Sequence, residues 1–265
     1  VERINLVTGE AQTRDEFLEE VRTGCGDFEI YLEEFMCVAS VDGMAYYPSE
    51  LIGPCVRADD AKPTKDLATF YNDVRRIGRP CGRLYAGVDV GRKKDLFVIW
   101  VLAPIGGLHR TAGVFILDRK PFSEMKVAIA GLMALETESR GHVNRICVDA
   151  TGLGMQLAEE CREKYKHRAE EVTWKTEVIV DCCGKLKTHF EDRTISIPDH
   201  DETKAELKCV KKLVTSAGNV RPVFDASNAN SHLDLVAAIW MAVHAVDSKP
   251  EPQSYVEVDH GGATC

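Results

Sequence analysis

From residue 84 onward the chain alternates between two hydrophobic rhythms. Leu84–Val90 is an apolar run closed by Gly91, Asp95–Leu102 is a second run and Arg110–Leu117 a third. The gaps between them are short and carry Gly91 and Gly106-Gly107, which predicts a three-stranded antiparallel meander. The rhythm then turns helical over Phe122–Glu138, with Met125, Ile129, Leu132, Met133 and Leu135 spaced for one face. Beyond it the pattern predicts a strand at Val143–Asp149, a helix at Gly152–Tyr165, a strand at Glu177–Val180, a helix at Asp201–Ser216, a strand at Val220–Phe224 and a last helix at His232–Val246. Upstream the signals are weaker. Thr13 and Glu16 form a capping box that opens a short helix, Phe28–Leu51 carries two aromatic-rich pieces around an Asp42-Gly43 turn, and residues 53–83 are rich in Pro, Gly and charge with a helix near Asp66–Arg76.

The order β-β-β-α-β-α-β-α-α implies an α/β fold, a mixed sheet covered by helices on both faces. It matches the ribonuclease H-like arrangement, preceded by a small α/β linker region. The expected organisation is a connector over residues 1–80, a ribonuclease H-like domain over 81–247 and a flexible tail over 248–265.

Composition narrows the function classes. The chain of 265 residues has a formal net charge of -9. Residues 1–80 hold 9 Lys/Arg against 16 Asp/Glu, and residues 81–265 hold 24 against 26, so most of the excess sits outside the expected domain. A global positive field is excluded, and nucleic-acid binding would rest on local basic patches. No apolar run approaches the ~18–20 residues of a membrane span, and no signal-peptide pattern opens the chain. The ten cysteines include no CxxC pair, so they read as reduced core thiols of a cytoplasmic protein; the vicinal Cys182-Cys183 stands out. A chain opening on Val1 rather than Met is expected to be part of a longer protein.

Three acids stand where packing has no use for them. Asp89 interrupts the first strand in Gly87-Val88-Asp89-Val90-Gly91, Asp149 ends the fourth strand, and Asp234 begins the last helix. A carboxylate inside an apolar strand is costly unless it is paired or on a metal. In the expected topology the first and fourth strands are parallel neighbours beside the last helix, so the three converge. Three hard oxygen donors suit Mg²⁺ or Mn²⁺, and two such ions can serve phosphodiester hydrolysis. Taken singly, Asp234 also reads as a first-turn acid favoured by the helix dipole, and Asp149 as a helix cap. Asp95 approaches from across the first turn or is a solvated turn residue. His232, two residues before Asp234, orients the cluster, touches the scissile phosphate or caps the helix.

Gly87–Asp95, Val148–Gly154 and Ser231–Asp234 running into Ala238–Ala242 resemble, in order and spacing, the nuclease domain of phage large terminase subunits, in its Mu-like branch. Glu33–Cys37 and Ser49–Ile52 resemble the segment that joins the packaging ATPase to that nuclease, so the resemblance spans about Phe28 to Asp247. It implies an endonuclease that cuts concatemeric viral DNA during genome packaging in the host-cell cytoplasm. Asp89, Asp149 and Asp234 would be the ligands of two metal ions and Asp95 an accessory acid. Double-stranded DNA, an ATPase domain, a small terminase subunit and a portal would be the partners. No GxxxxGK[ST] motif occurs, so the chain corresponds to the nuclease part alone. Leu233 and Ala237 stand where many relatives carry further acids, which predicts weak or Mn²⁺-dependent metal binding.

Arg92, Lys93 and Lys94 lie on the turn beside Asp89. Lys185 and Lys187 read as loop residues, and Lys204, Lys208 and Lys211 fall at helical spacing; all could hold phosphates without reading bases, or simply be solvated. Three alternatives stand beside the packaging nuclease. They are a Holliday-junction resolvase with the same fold, an actin- or sugar-kinase-like phosphotransferase suggested by Asp89-Val90-Gly91, and a non-catalytic packaging module.

Overall fold

Three long strands carry the molecule: β5 (Arg83–Val90), β6 (Leu96–Ile105) and β7 (Leu108–Asp118) form the expected antiparallel meander. The computed structural model describes residues 3–4, 11–24, 45–91, 96–214, 220–224 and 233–247. The hairpin expected around Asp42-Gly43 and the tail from residue 248 lie outside them.

The N-terminal elements are β1 (Arg3–Ile4), β2 (Ala11–Gln12), α1 (Arg14–Gly24), the single-turn α2 (Ser49–Ile52), β3 (Val56–Arg57), β4 (Pro63–Thr64) and α3 (Leu67–Ile77). The capping box forms as the sequence predicts: Glu16 accepts from the Thr13 N–H at 2.8 Å, and the Thr13 hydroxyl accepts from the Glu16 N–H at 3.3 Å. After the meander come α4 (Phe122–Met133), β8 (His142–Asp149), α5 (Met155–Tyr165) and β9 (Ala169–Val172). They are followed by α6 (Thr176–Glu191), β10 (Ile195–Pro198), α7 (Asp201–Cys209), β11 (Val210–Val214), β12 (Val220–Phe224) and α8 (Asp234–Asp247).

The main sheet runs β3-β10-β7-β6-β5-β8-β9, with β4 also on β7. β5 and β8 are parallel neighbours, and β9 extends the parallel side. This is the mixed α/β sheet flanked by helices that the element order implied.

The period-2 alternation of the strands divides the core into two layers. Val88, Val90, Phe97, Ile99 and Val101 face one layer with Phe70 and Val74 of α3, Met125 and Ile129 of α4 and Leu157 of α5. Val98, Trp100 and Leu102 face the other, with Cys183 and Leu186 of α6, Leu207 of α7 and Ile239 of α8. Asp89, between Val88 and Val90, therefore points to the α8 side.

Residues before 81 enter the same core. Tyr47 is fully buried; its hydroxyl donates to the Cys183 carbonyl and accepts from the Trp240 indole, both at 3.0 Å. Asp60, buried at β7, takes Arg110 at 2.7 Å and the Ser196 hydroxyl. β3 and β4 lie in the main sheet itself. The packed core thus takes in residues on both sides of position 80.

Four elements correct the sequence reading. Glu177–Val180 is not a strand but the first turn of α6, because Ile179, Cys182, Cys183, Leu186 and Phe190 continue an apolar stripe at helical spacing. Cys182 and Cys183 are buried in that stripe beside Leu186 and Phe190; burial pushes both thiols up to about 12, so they are inert packing groups. The helix expected over Asp201–Ser216 ends at Cys209, where Val210–Val214 pairs with Val220–Phe224 as an antiparallel hairpin. β9 and β10 were not legible: Ala-Glu-Glu-Val carries two charges, and Ile-Ser-Ile-Pro is short and ends in proline.

Candidate active site

Asp89 and Asp149 are set side by side by strand register. The parallel ladder pairs Gly87 with Cys147 and Val88 with Val148, so the next residue on each strand is an aspartate, on the same face. That face is covered by α8, since Cys147 packs against Met241 and Ala245. α8 crosses β5 at Gly87: a Cβ there would fall inside the contact shells of the Ala238 carbonyl and the Ala242 amide. From Ala238, the near edge of that crossing, Asp234 lies four residues toward the helix start, ~6 Å. Asp89 lies two strand residues toward the strand end, ~6.6 Å. Both lie at the end of the sheet marked by the β5–β6 turn. The Asp234 carboxylate is held there by the Leu96 N–H at 2.7 Å, at the base of the β5–β6 turn where Gly91 N–H meets the Leu96 carbonyl at 3.1 Å.

All three carboxylates are buried: Asp89 is 9% exposed and Asp149 and Asp234 are 7%. Burial raises the Asp149 carboxyl above the ordinary carboxylate range, although the Thr151 N–H at 2.8 Å pulls it back. Just beyond Asp149 the chain turns tightly, and Gly154 lets that turn sit directly against the Asp149 carbonyl and Val90, where a Cβ would collide. The donor set fits a hard divalent cation: it is all carboxylate oxygen. The thiol sharing the face, Cys147, is pushed up to about 12 by burial and stays protonated. The three are not drawn into a single-ion cage; among the described residues, donor-atom sets within 4.8 Å of one another lie elsewhere.

Glu206, on α7, belongs to this centre and was missed. Its carboxyl accepts from the Leu235 and Val236 N–H groups, at 3.0 and 3.2 Å, at the N-terminus of α8 next to Asp234. Burial, reinforced by the charge of Asp234 and only partly offset by these amides, pushes its pKa up to about 8. An acid therefore stands beside Asp234 despite Leu233 and Ala237, contributed by a different element. The signal was the face it occupies: Thr203, Leu207 and Val210 are buried, and Glu206 falls among them at helical spacing.

The raised value has a consequence for stability. Between about 4.5 and about 8 the native state holds a proton that the unfolded chain releases, so stability falls as pH rises through that window. Glu206→Gln is neutral throughout and keeps an oxygen for the two amides. In EDTA its Tm, relative to wild type, is expected to climb across that window and level off above it. A pH-independent difference between the two melting curves would contradict this.

The remaining candidates are placed as follows. Arg92, Lys93, Lys94, Asp95 and His232 lie outside the described residues. Lys185 and Lys187 are on α6, not in a loop. Lys185 pairs with Asp181 at 2.6 Å, and Lys187 lies near Glu191 and over the Tyr46 ring. Asp181 in turn lies within 4.0 Å of His244, ten residues along α8 from Asp234, so the structure does not bring Lys185 to the acidic centre. Lys204 and Lys208 sit two residues either side of Glu206, on the opposite face of α7. They line a cavity of about 400 Å³ with Ser49, Gly53 and Val56, and Lys204 also bridges Asp199 and Asp201. Lys211 is on β11, so the single lysine-bearing helix face expected over 204–211 does not exist.

Known proteins resemble this chain in sequence and in fold. The chain is 25% identical over 227 residues to "Terminase, ATPase subunit" of Escherichia phage P2, covering 82% of this chain and 35% of the relative. It thus spans about a third of that relative's length. In fold it matches the large terminase nuclease of thermophilic phage G20c. The form with bound magnesium aligns with a TM-score of 0.52 and 17% identity, covering 76% of this chain and 96% of that one. The form with bound cobalt aligns with a TM-score of 0.54 and 18% identity over the same shares. The family model described as "Terminase RNaseH-like domain" matches residues 86–246. That stretch runs from the strand bearing Asp89 to the end of the helix opened by Asp234, more than half of the chain, and the chain belongs to this family.

Proposed function

We propose that the chain is the metal-dependent endonuclease part of a phage or prophage terminase, cutting concatemeric double-stranded DNA during genome packaging with little sequence preference. The observation that carries this reading is the convergence of Asp89, Asp149 and Asp234 at one end of the β5–β8 pair, under the start of α8. Asp89 and Asp149, fixed by register, would hold one side of a Mg²⁺ or Mn²⁺ pair, and Asp234, fixed by the Leu96 amide, the other. Two ions ~3.5–4 Å apart are the arrangement such a carboxylate set would serve in phosphodiester hydrolysis. Such ions would polarise the scissile phosphate and supply an activated water.

Arg92–Lys94 and His232 flank two of these acids in sequence, which supports phosphate-positioning roles for them, with Asp95 as an accessory acid. Residues 81–247 would form the nuclease proper. An ATPase domain, a small terminase subunit and a portal would be its partners in the host cytoplasm. Affinity with the Mu-like branch rests on the three motif blocks.

The test is a supercoiled plasmid incubated with the purified chain in Mg²⁺, Mn²⁺ or EDTA. Nicked and then linear product with either metal, and none in EDTA, is the expected result. Intact plasmid under all three conditions with natively folded protein rejects the reading. Preference for four-way junctions over linear duplex would transfer it to a resolvase.

A further inference from the structure

At the opposite end of α8 stands a second group of metal-type donors that the nuclease reading does not use. A ring nitrogen of His109, a ring nitrogen of His189 and a carboxylate oxygen of Asp247 lie within 4.8 Å of one another. They come from β7, α6 and the last residue of α8. Asp247 is thirteen residues from Asp234 along one helix, a separation of about 20 Å.

The bonding around these groups leaves room for a cation. His189 Nδ1 lies 2.7 Å from the Thr194 hydroxyl, and Nε2 lies 3.0 Å from Asp247 Oδ2. With Nδ1–H donated to Thr194, Nε2 turns its lone pair to the Asp247 side, the form in which an imidazole binds a metal. The His109 ring meets that of His189 edge-on, with centroids 5.0 Å apart. Its Nδ1 is buried with no hydrogen-bond partner among the described residues, a rare condition for a buried polar atom. Burial and the neighbouring His189 both disfavour protonation of His109, which keeps a lone pair available. The His109 N–H donates to the Thr194 carbonyl at 2.8 Å, so one residue anchors both histidines. An adjoining cavity of about 370 Å³, lined by Lys185, Thr188, His189, Asp192 and Asp247, has room for water to complete a coordination sphere.

We propose that His109, His189 and Asp247 form a second divalent-metal site, of the two-histidine, one-carboxylate kind, that takes a borderline ion such as Zn²⁺ or Co²⁺ with one position left to solvent. Two imidazoles and one carboxylate select such an ion over Mg²⁺, which prefers oxygen donors. Thr194 acts through His189, holding its tautomer and orientation. The bound ion would tie β7, α6 and the end of α8 together, far from the acidic centre and independently of its chemistry.

The test uses the full chain carrying Asp89→Asn and Asp149→Asn, which disables the acidic centre, titrated with Co²⁺ and followed by visible d–d absorption. One saturable equivalent, displaced by Zn²⁺, is expected. Adding His109→Gln or Asp247→Asn should abolish it, and Thr194→Val should weaken it by about 10–100-fold. His244→Gln, which alters the separate Cys147–Glu170–His244 group, should leave it unchanged. Absence of saturable Co²⁺ binding in the doubly substituted chain overturns the proposal. So does binding that survives both His109→Gln and Asp247→Asn; Asp247, at the helix end, is the substitution least able to disturb folding.

Discussion

Asp149→Asn is expected to lose plasmid cleavage by at least about 100-fold while melting no lower than wild type in EDTA. The first half follows from ligand chemistry: an amide oxygen is neutral, and even the outer groups that merely orient metal ligands are worth 10–100-fold. The second half follows from burial. Asp149 is 7% exposed and its carboxyl is raised above the ordinary range mainly by desolvation. A raised folded-state value means that the native state binds more protons than the unfolded chain between the two pKa values. Stability therefore falls as pH rises through that interval. Asparagine removes the charge and keeps an oxygen for the Thr151 N–H, which lies 2.8 Å from Oδ1. The same substitution should erase any Mg²⁺- or Mn²⁺-induced rise in Tm, because a ligand stabilises only the state that binds it. An acid kept for structure would behave in the opposite way, losing stability and sparing activity. A Tm drop of the Asn variant in EDTA, with cleavage retained, would therefore reassign Asp149 to a capping role.

The central part of this site was legible because its residues contradict their surroundings. Asp89 interrupts the apolar run Leu84–Val90, and Asp149 closes another; each announces both its strand and its own anomaly. The topology then followed from short gaps and the change of period. Glu206 was not legible in the same way, since a glutamate in a charged helix is unremarkable until the inward face is known. Only the docking of α7 on α8, through the Leu235 and Val236 amides, reveals it. Charge also hid the strand Ala169–Val172, where Glu170 is used internally by Arg145 and His244. The error over Glu177–Val180 came from reading four residues alone, when the stripe that decides the period extends to Phe190. The lysines failed for a related reason. A one-dimensional spacing of 204, 208 and 211 assumes an unbroken helix, and the Val210–Val214 hairpin strand breaks it.

The largest structural effect is expected from one methyl group. Gly87→Ala places its Cβ against the Ala238 carbonyl, the Ala242 amide and the Met241 backbone. These are backbone atoms of a helix, with no rotamer that relieves the clash, so α8 as a whole must move off β5. Inserting even one methylene into a packed core costs typically 1–3 kcal/mol. A collision with rigid backbone belongs at about 3 kcal/mol or above. The cost extends to chemistry, because α8 carries Asp234 at its start and β5 carries Asp89 two residues beyond the crossing. A displacement of about 1 Å at a catalytic constellation is worth about 100-fold in rate. The variant should therefore lose both Tm and cleavage although no carboxylate has been touched. Two controls separate the causes. Gly53→Ala meets nothing within 4 Å and should leave both properties near wild type. Gly113→Ala collides with Val74 and Phe70 side chains of α3 in the other core layer. It should lower Tm with a much smaller loss of cleavage per degree, because the clash does not push on α8. If Gly87→Ala and Gly113→Ala reduced activity in proportion to their loss of stability alone, the seating of α8 on β5 would have no special part in holding Asp234 against Asp89.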